Sequence, residues 1–158
     1  MKKPPSKPHS DESINLAFNK SLRYLSFRIR SVKEINDYLS KKGFVEKTIS
    51  KTVNRLLELK FLNDREFGQQ WIDSRQKHKG KSKFVLKNEL QAKGLDKELI
   101  EKLLQVAVDD LKTTKDFFER KKDKMRHLSK EEFEKKIIGM LQRKGFNWNI
   151  ISKVLKQD

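Results

Sequence analysis

Leu39-Ser40-Lys41-Lys42-Gly43-Phe44 occurs again as Leu90-Gln91-Ala92-Lys93-Gly94-Leu95 and once more as Leu141-Gln142-Arg143-Lys144-Gly145-Phe146, at intervals of 51 residues. Apolar positions around it keep the same register. Ile35, Leu86 and Ile137 correspond, as do Ile49, Ile100 and Ile151, then Val53, Leu104 and Leu155, and Leu16, Phe67 and Phe118. A fixed period of this length is the mark of a repeat architecture, in which one supersecondary unit is used several times. Arrays of that kind offer extended surfaces for binding before they offer catalytic pockets.

Working outward from the motif, the pattern is helical. Ile14, Ala17, Phe18, Leu22, Leu25 and Ile29 recur at three- and four-residue steps, the spacing of one helix face. Ser31 with Glu34 forms a capping box in front of Ile35, Tyr38 and Leu39, and Gly43 closes that helix. A third helix turns Ile49, Val53, Leu56 and Leu57 inward. The second unit repeats the plan. Asp64 is placed to cap a helix with Phe67 and Trp71, a second helix carries Val85, Leu86 and Leu90, and Asp96 caps a third that runs to Ala107 and Val108. In the third unit Phe117 and Phe118 lie on the first helix. Ser129 with Glu132 repeats the capping box, and Asn147 caps a last helix with Ile150, Ile151, Val154 and Leu155. No period-two alternation is long enough for a sheet. The expected fold is all-α: three tandem three-helix, helix-turn-helix-like repeats in an elongated array, straight or curved. The expected divisions are a disordered basic tail over 1–9 and repeats over 10–60, 61–111 and 112–158.

Hydrophobic residues make up 35% of the 158 and charged residues 38%, so helical cores of modest size sit under a highly charged surface. The mean hydropathy is −0.85, and no apolar run approaches the roughly 20 residues of a membrane span. The absence of cysteine fits a reducing cytoplasm and excludes thiolate metal sites. The net charge of +16 implies attraction to a polyanion. It is unevenly spread: residues 61–111 carry 10 basic and 9 acidic side chains, whereas 112–158 carry 14 and 7.

Catalytic patterns are missing. Gly80-Lys81-Ser82 resembles the end of a phosphate-binding loop, but Arg75 stands where its first glycine belongs. His9, His78 and His127 lie far apart and have no metal-ligand spacing. The chain therefore reads as a binding protein, not an enzyme, with no cofactor. Cations gather where the first helix of each unit meets the second: Arg28 and Arg30; Arg75, Lys77, Lys79, Lys81, Lys83 and Lys87; and Arg120, Lys121, Lys122, Lys124 and Arg126. If the units stack regularly, these corners form a stripe suited to a phosphate backbone or an acidic groove. Two readings are open for the lysine before each repeated glycine: compensation of the helix dipole, or a ligand contact. Two are also open for Trp71, Trp148 and Phe84: packing, or stacking on bases.

Leu25-x-x-Arg28-x-Arg30-Ser31-x-x-Glu34-Ile35-x-x-x-Leu39-x-x-Lys42-Gly43-Phe44 resembles the signature of the bacterial RecX regulatory proteins. So do Leu56-x-x-Leu59-x-Phe61-Leu62-Asn63-Asp64-x-x-Phe67, then Trp71, Arg75, Lys79-Gly80 and Glu89-Leu90-x-x-Lys93-Gly94. The likeness covers residues 14–108. The third unit matches by its period, with Glu132-Phe133 in place of the Arg-Ser of the first. The resemblance implies tandem three-helix repeats and a monomer that binds the RecA recombinase, mainly its filament on single-stranded DNA. It implies lodging in the filament groove and restraint of strand exchange, ATP hydrolysis and the coprotease activity behind the SOS response. By resemblance Arg28, Arg30, Arg75 and Lys79 are contact positions. The charge adds weak DNA binding as an accompaniment, and free-standing DNA binding as the competing function.

Overall fold

The computed structural model of the protein describes residues 11–157; the basic tail expected over 1–9 lies outside them. Among the described residues there are nine α-helices and no strand: α1 (Asp11–Leu25), α2 (Val32–Lys41), α3 (Glu46–Glu58), α4 (Asp64–Ser74), α5 (Lys83–Ala92), α6 (Lys97–Val106), α7 (Asp110–Lys124), α8 (Lys130–Arg143) and α9 (Trp148–Leu155). A π-helical turn, Arg75–Lys79, extends α4. The protein is thus all-α, and the apolar segment around Phe84 is helical. Contacts divide the described residues into two compact units, 11–67 with 93–95, and 68–92 with 96–157.

The first unit packs α1, α2 and α3 around Ala17, Phe18, Ile35, Leu39, Ile49, Val53, Leu56 and Leu62. Its second helix starts where the sequence requires. The Ser31 hydroxyl accepts from the Glu34 N–H at 3.2 Å, and the Glu34 carboxylate accepts from the Ser31 N–H at 3.1 Å. Its end is a left-handed Gly43, φ 86°. The second unit buries Ile72, Leu86, Leu90, Ile100 and Leu103, together with a cluster of Phe117, Phe118, Phe133, Ile137, Leu141, Phe146, Ile151 and Val154. The Ser129–Glu132 box caps α8, and Asn147 caps α9.

Five positions depart from what the sequence leads one to expect. α1 ends at Leu25, so Ile29 lies in the connection and not on the helix face. Leu16 is 53% exposed, because Ala17 and Phe18 supply the buried face of α1. Leu57 is exposed beside the buried Leu56, and α6 stops at Val106, leaving Ala107 and Val108 beyond its end. Asp64 is not the cap of α4. Asn63 Oδ1 takes that role, accepting from the N–H groups of Arg65 and Glu66 at 3.0 and 3.2 Å. Asp64 reaches instead to α2 and accepts the Val32 N–H at 2.8 Å.

In both units a lysine–glycine turn is seated on the N-terminus of an earlier helix. In the first, the Ser31 hydroxyl donates to the Lys93 carbonyl at 2.7 Å, and a Cβ on Gly94 would come within 2.5 Å of Lys33 Cβ. In the second, the Ser82 N–H donates to the Lys144 carbonyl at 3.1 Å, and a Cβ on Gly145 would meet Val85 Cγ2 at 2.4 Å. Gly43 has nothing within 4 Å. Gly43→Ala should therefore cost only left-handed strain, about 1–2 kcal/mol. Gly94→Ala and Gly145→Ala add overpacking of about 1–3 kcal/mol more. Guanidinium unfolding midpoints of the three variants test this; equal losses at all three would refute the seating.

Candidate functional site

In the first unit the sequence places its arginines beside acids and rings, and the fold uses them there. The Arg28 guanidinium grips Glu34 with two bonds of 2.7 and 3.2 Å, while Lys93 Nζ donates to the same carboxylate at 2.9 Å. Burial alone would raise the Glu34 carboxyl, but the bonds from Arg28, Lys93 and the Ser31 N–H outweigh it and hold the group at about 2. Arg30 stacks on Tyr24, 3.8 Å from the ring centroid, and Tyr24 stacks on Tyr38 with centroids 4.1 Å apart. Arg28 and Arg30 thus have internal partners.

The second unit uses Arg75 in the same manner. Its guanidinium lies 4.2 Å from the centroid of Trp71 and 3.2 Å from Glu89, and the Trp71 indole N–H donates to Glu89 at 2.8 Å. The π-turn that follows ends at Gly80, left-handed at φ 55°, where an added Cβ would sit 3.3 Å from the Phe117 ring. That close approach brings cations from distant parts of the sequence to one place. Arg120 donates to the Lys77 carbonyl at 3.1 Å, and Lys144 Nζ donates to the Lys79 carbonyl. The Lys144 and Lys121 ammoniums lie 4.5 and 5.5 Å from the Phe117 centroid. Burial, then the charges of Lys81, Lys121, Arg120 and Lys79, lower the Lys144 ammonium below its ordinary value. All four of these charges are positive. A cluster in that condition gains from any polyanion that supplies the missing negative charge.

The other expected positions divide. Lys83 is withdrawn from the surface: its N–H donates to Asp110 at 2.8 Å and its Nζ to the Leu104 carbonyl at 2.7 Å. That ties α5 to the end of α6 and the start of α7. Lys77, Lys79, Lys122 and Lys124 are exposed, and Lys81, Lys87 and Lys121 are half-buried. Arg126 pairs with Asp123 at 2.6 Å, both well exposed, a pair worth at most about 1 kcal/mol. His78 and His127 are exposed, while His9 lies outside the described residues. No cluster of potential metal ligands occurs among the described residues. Two cations stand at the centre of the cluster: Arg120, and Lys144, for which the sequence left two readings open. Lys144 stands in the repeated lysine–glycine motif, and Arg120 in the third basic run. Their convergence on Lys77–Lys81 requires a fold to become visible.

Comparison with known proteins matches the chain three times to RecX family models. The first three-helix domain covers residues 17–56, the second 63–104 and the third 109–155. The chain belongs to the RecX family. It is similar to the regulatory protein RecX of Bacillus pumilus, 36% identical over 148 residues, or 92% of this chain and 56% of that protein. The Bacillus subtilis protein of the same name is 34% identical over the same shares. The chain thus spans little more than half the length of these Bacillus relatives. A Mycobacterium avium RecX is 32% identical over 139 residues, 85% of this chain and 79% of that one. The crystal structure of RecX from Lactobacillus salivarius superposes with a TM-score of 0.77 at 27% identity, covering 94% of this chain and 97% of that one. A second RecX crystal structure, at 17% identity and a TM-score of 0.72, shares the fold. No helix among the described residues is long and apolar enough to cross a membrane.

The Glu34 hub generates a pH test. A carboxyl held below its ordinary 4.5 stabilises the fold above that pH, and the contribution is lost as pH falls through about 2. Glu34→Gln should lower the melting temperature at pH 7 by several degrees. The gap from the parent should close as the pH falls from 4.5 to 2. A gap independent of pH would show that the Arg28 and Lys93 pairing contributes nothing.

Proposed function

We propose that this protein is a regulator of the RecA recombinase that binds RecA, foremost its filament on single-stranded DNA, and restrains strand exchange, ATP hydrolysis and coprotease activity. It acts in the cytoplasm, where homologous recombination and the SOS response proceed. The observation that carries this reading is the presence of all three RecX three-helix domains in one chain, in relatives of which each is named a regulatory protein. The uncompensated cations around Lys144 support it, since a nucleoprotein filament presents extended negative charge. Exposed Lys77, Lys79 and Lys124 add to that side of the balance. The same cations favour a second reading, a protein that binds DNA with no recombinase present.

A titration into RecA assembled on single-stranded DNA, followed by strand exchange, tests the first reading. Inhibition at a dose well below one protein per nucleotide is expected. A Lys79→Gln/Lys81→Gln/Lys121→Gln variant should need a several-fold higher dose while melting like the parent. Undiminished strand exchange at saturating protein, beside clear binding to bare DNA, would replace the first reading by the second.

A further inference from the structure

A lysine stands before each repeated glycine, and the fold gives the three of them different environments. Lys42 is exposed, its ammonium 5.6 Å from the Tyr38 centroid. Lys93 is held by the Glu34 carboxylate at 2.9 Å. Lys144 is half-buried, and no carboxylate among the described residues pairs with it. Its Nζ donates to the Lys79 carbonyl and lies 4.5 Å from the Phe117 centroid, over the ring that Lys121 approaches to 5.5 Å. Arg120 joins the same π-turn by donating to the Lys77 carbonyl. Lys144 therefore sits among cations, whereas Lys93 sits against an acid.

This setting changes an amine in two ways. Burial and neighbouring positive charge disfavour the ammonium and favour the neutral amine, which is the nucleophile. The same charges raise the local concentration of small anions. Both effects act together only on a reagent that is at once an anion and an electrophile. We infer that Lys144 is a site of acylation by acyl phosphates, the phosphoryl group resting on Lys79, Lys81, Arg120 and Lys121 while the Lys144 amine attacks the acyl carbon. With acetyl phosphate a C–N bond forms, the C–O bond to phosphate breaks, and its electron pair leaves with the phosphate. Of the three ammonium protons, one goes to water before attack, one leaves with the phosphate as hydrogen phosphate, and one stays on the amide. Acetylated lysine carries no charge. A single modification thus removes the cation that bridges the π-turn and the Phe117 ring, and it lowers the charge that the cluster offers to a polyanion. The inference concerns the chemistry of this amine and goes beyond the proposed function.

The test incubates the whole chain with acetyl phosphate near neutral pH and follows each lysine over time by peptide mass spectrometry. Lys144 should be acetylated about tenfold faster than Lys93 and several-fold faster than Lys42. Raising the salt from about 0.1 M to about 1 M shortens the screening length from about 10 Å to about 3 Å and should erase most of that lead. The uncharged N-hydroxysuccinimide ester of acetic acid should show a several-fold smaller lead, since no charge holds it at the cluster. Lys81→Gln/Lys121→Gln should slow Lys144 several-fold, leave Lys42 and Lys93 unchanged, and melt like the parent. Lys81→Gln alone should give a smaller change in the same direction. Acetylation of Lys144 no faster than that of Lys42, or a lead that the uncharged ester reproduces in full, would overturn the inference. These readouts use neither DNA nor RecA, so they stand or fall apart from the strand-exchange titration.

Discussion

A glycine-closed turn pressed against the N-terminus of an earlier helix is the contact on which both units depend. At Gly94 and Gly145 a single methyl group would overlap the neighbouring helix, at 2.5 and 2.4 Å. Glycine is required there twice over, by its left-handed backbone and by the space. The turn carbonyls of Lys93 and Lys144 accept from Ser31 and Ser82, which are fully buried and stand 51 residues apart. Helix starts carry N–H groups without intrahelical partners, and helix ends carry carbonyls in the same state. At Ser82 one contact satisfies groups of both kinds, at Ser31 the hydroxyl satisfies the carbonyl, and in each case the contact fixes where the lysine goes.

The same scaffold then produces opposite electrostatics. In the first unit the turn delivers Lys93 to Glu34, which Arg28 also holds, so a carboxylate stands between the two cations. Position 85 corresponds to Glu34 in the 51-residue register, and there the chain has valine. Lys144 consequently finds no acid at that point. It turns to the Lys79 carbonyl and the Phe117 ring, among cations that lower its own proton affinity. One replacement in a repeated position converts a structural ion pair into an electropositive surface.

Much of the fold was legible because the ends of the second helices, at Lys41, Ala92 and Arg143, and the starts of the third keep the period, although α8 begins four residues early. α3, α6 and α9 begin at Glu46, Lys97 and Trp148, each 51 residues apart, and Ile35, Leu86 and Ile137 are all fully buried. First helices do not keep it. Asn63–Asp64 and Asp109–Asp110 perform one pair of tasks, capping their own helix and accepting from the start of an earlier one at Val32 or Lys83, yet they stand 46 residues apart. α6 is three residues shorter than α3, and the connection after it is shorter by two. Ile72 therefore corresponds in position to Phe118, and the apparent match of Phe67 with Phe118 is a coincidence of spacing. The site was legible only as composition. Arg28, Arg75 and Lys83 are spent on Glu34, Glu89 and backbone carbonyls, which a count of charges cannot show.

Formal charge is for the same reason a poor guide to where a polyanion binds. At about 0.1 M salt the screening length is about 10 Å, so cations scattered over helices act singly and weakly. Cations gathered around one ring act together, because each lies within that length of the next. The cluster around Phe117 meets this condition with residues drawn from the π-turn, α7 and the end of α8. The part of the +16 that acts together is the fraction that folding concentrates and leaves without a carboxylate. In this chain that fraction sits where the lysine–glycine turn of the third repeat meets the second helix of the middle one.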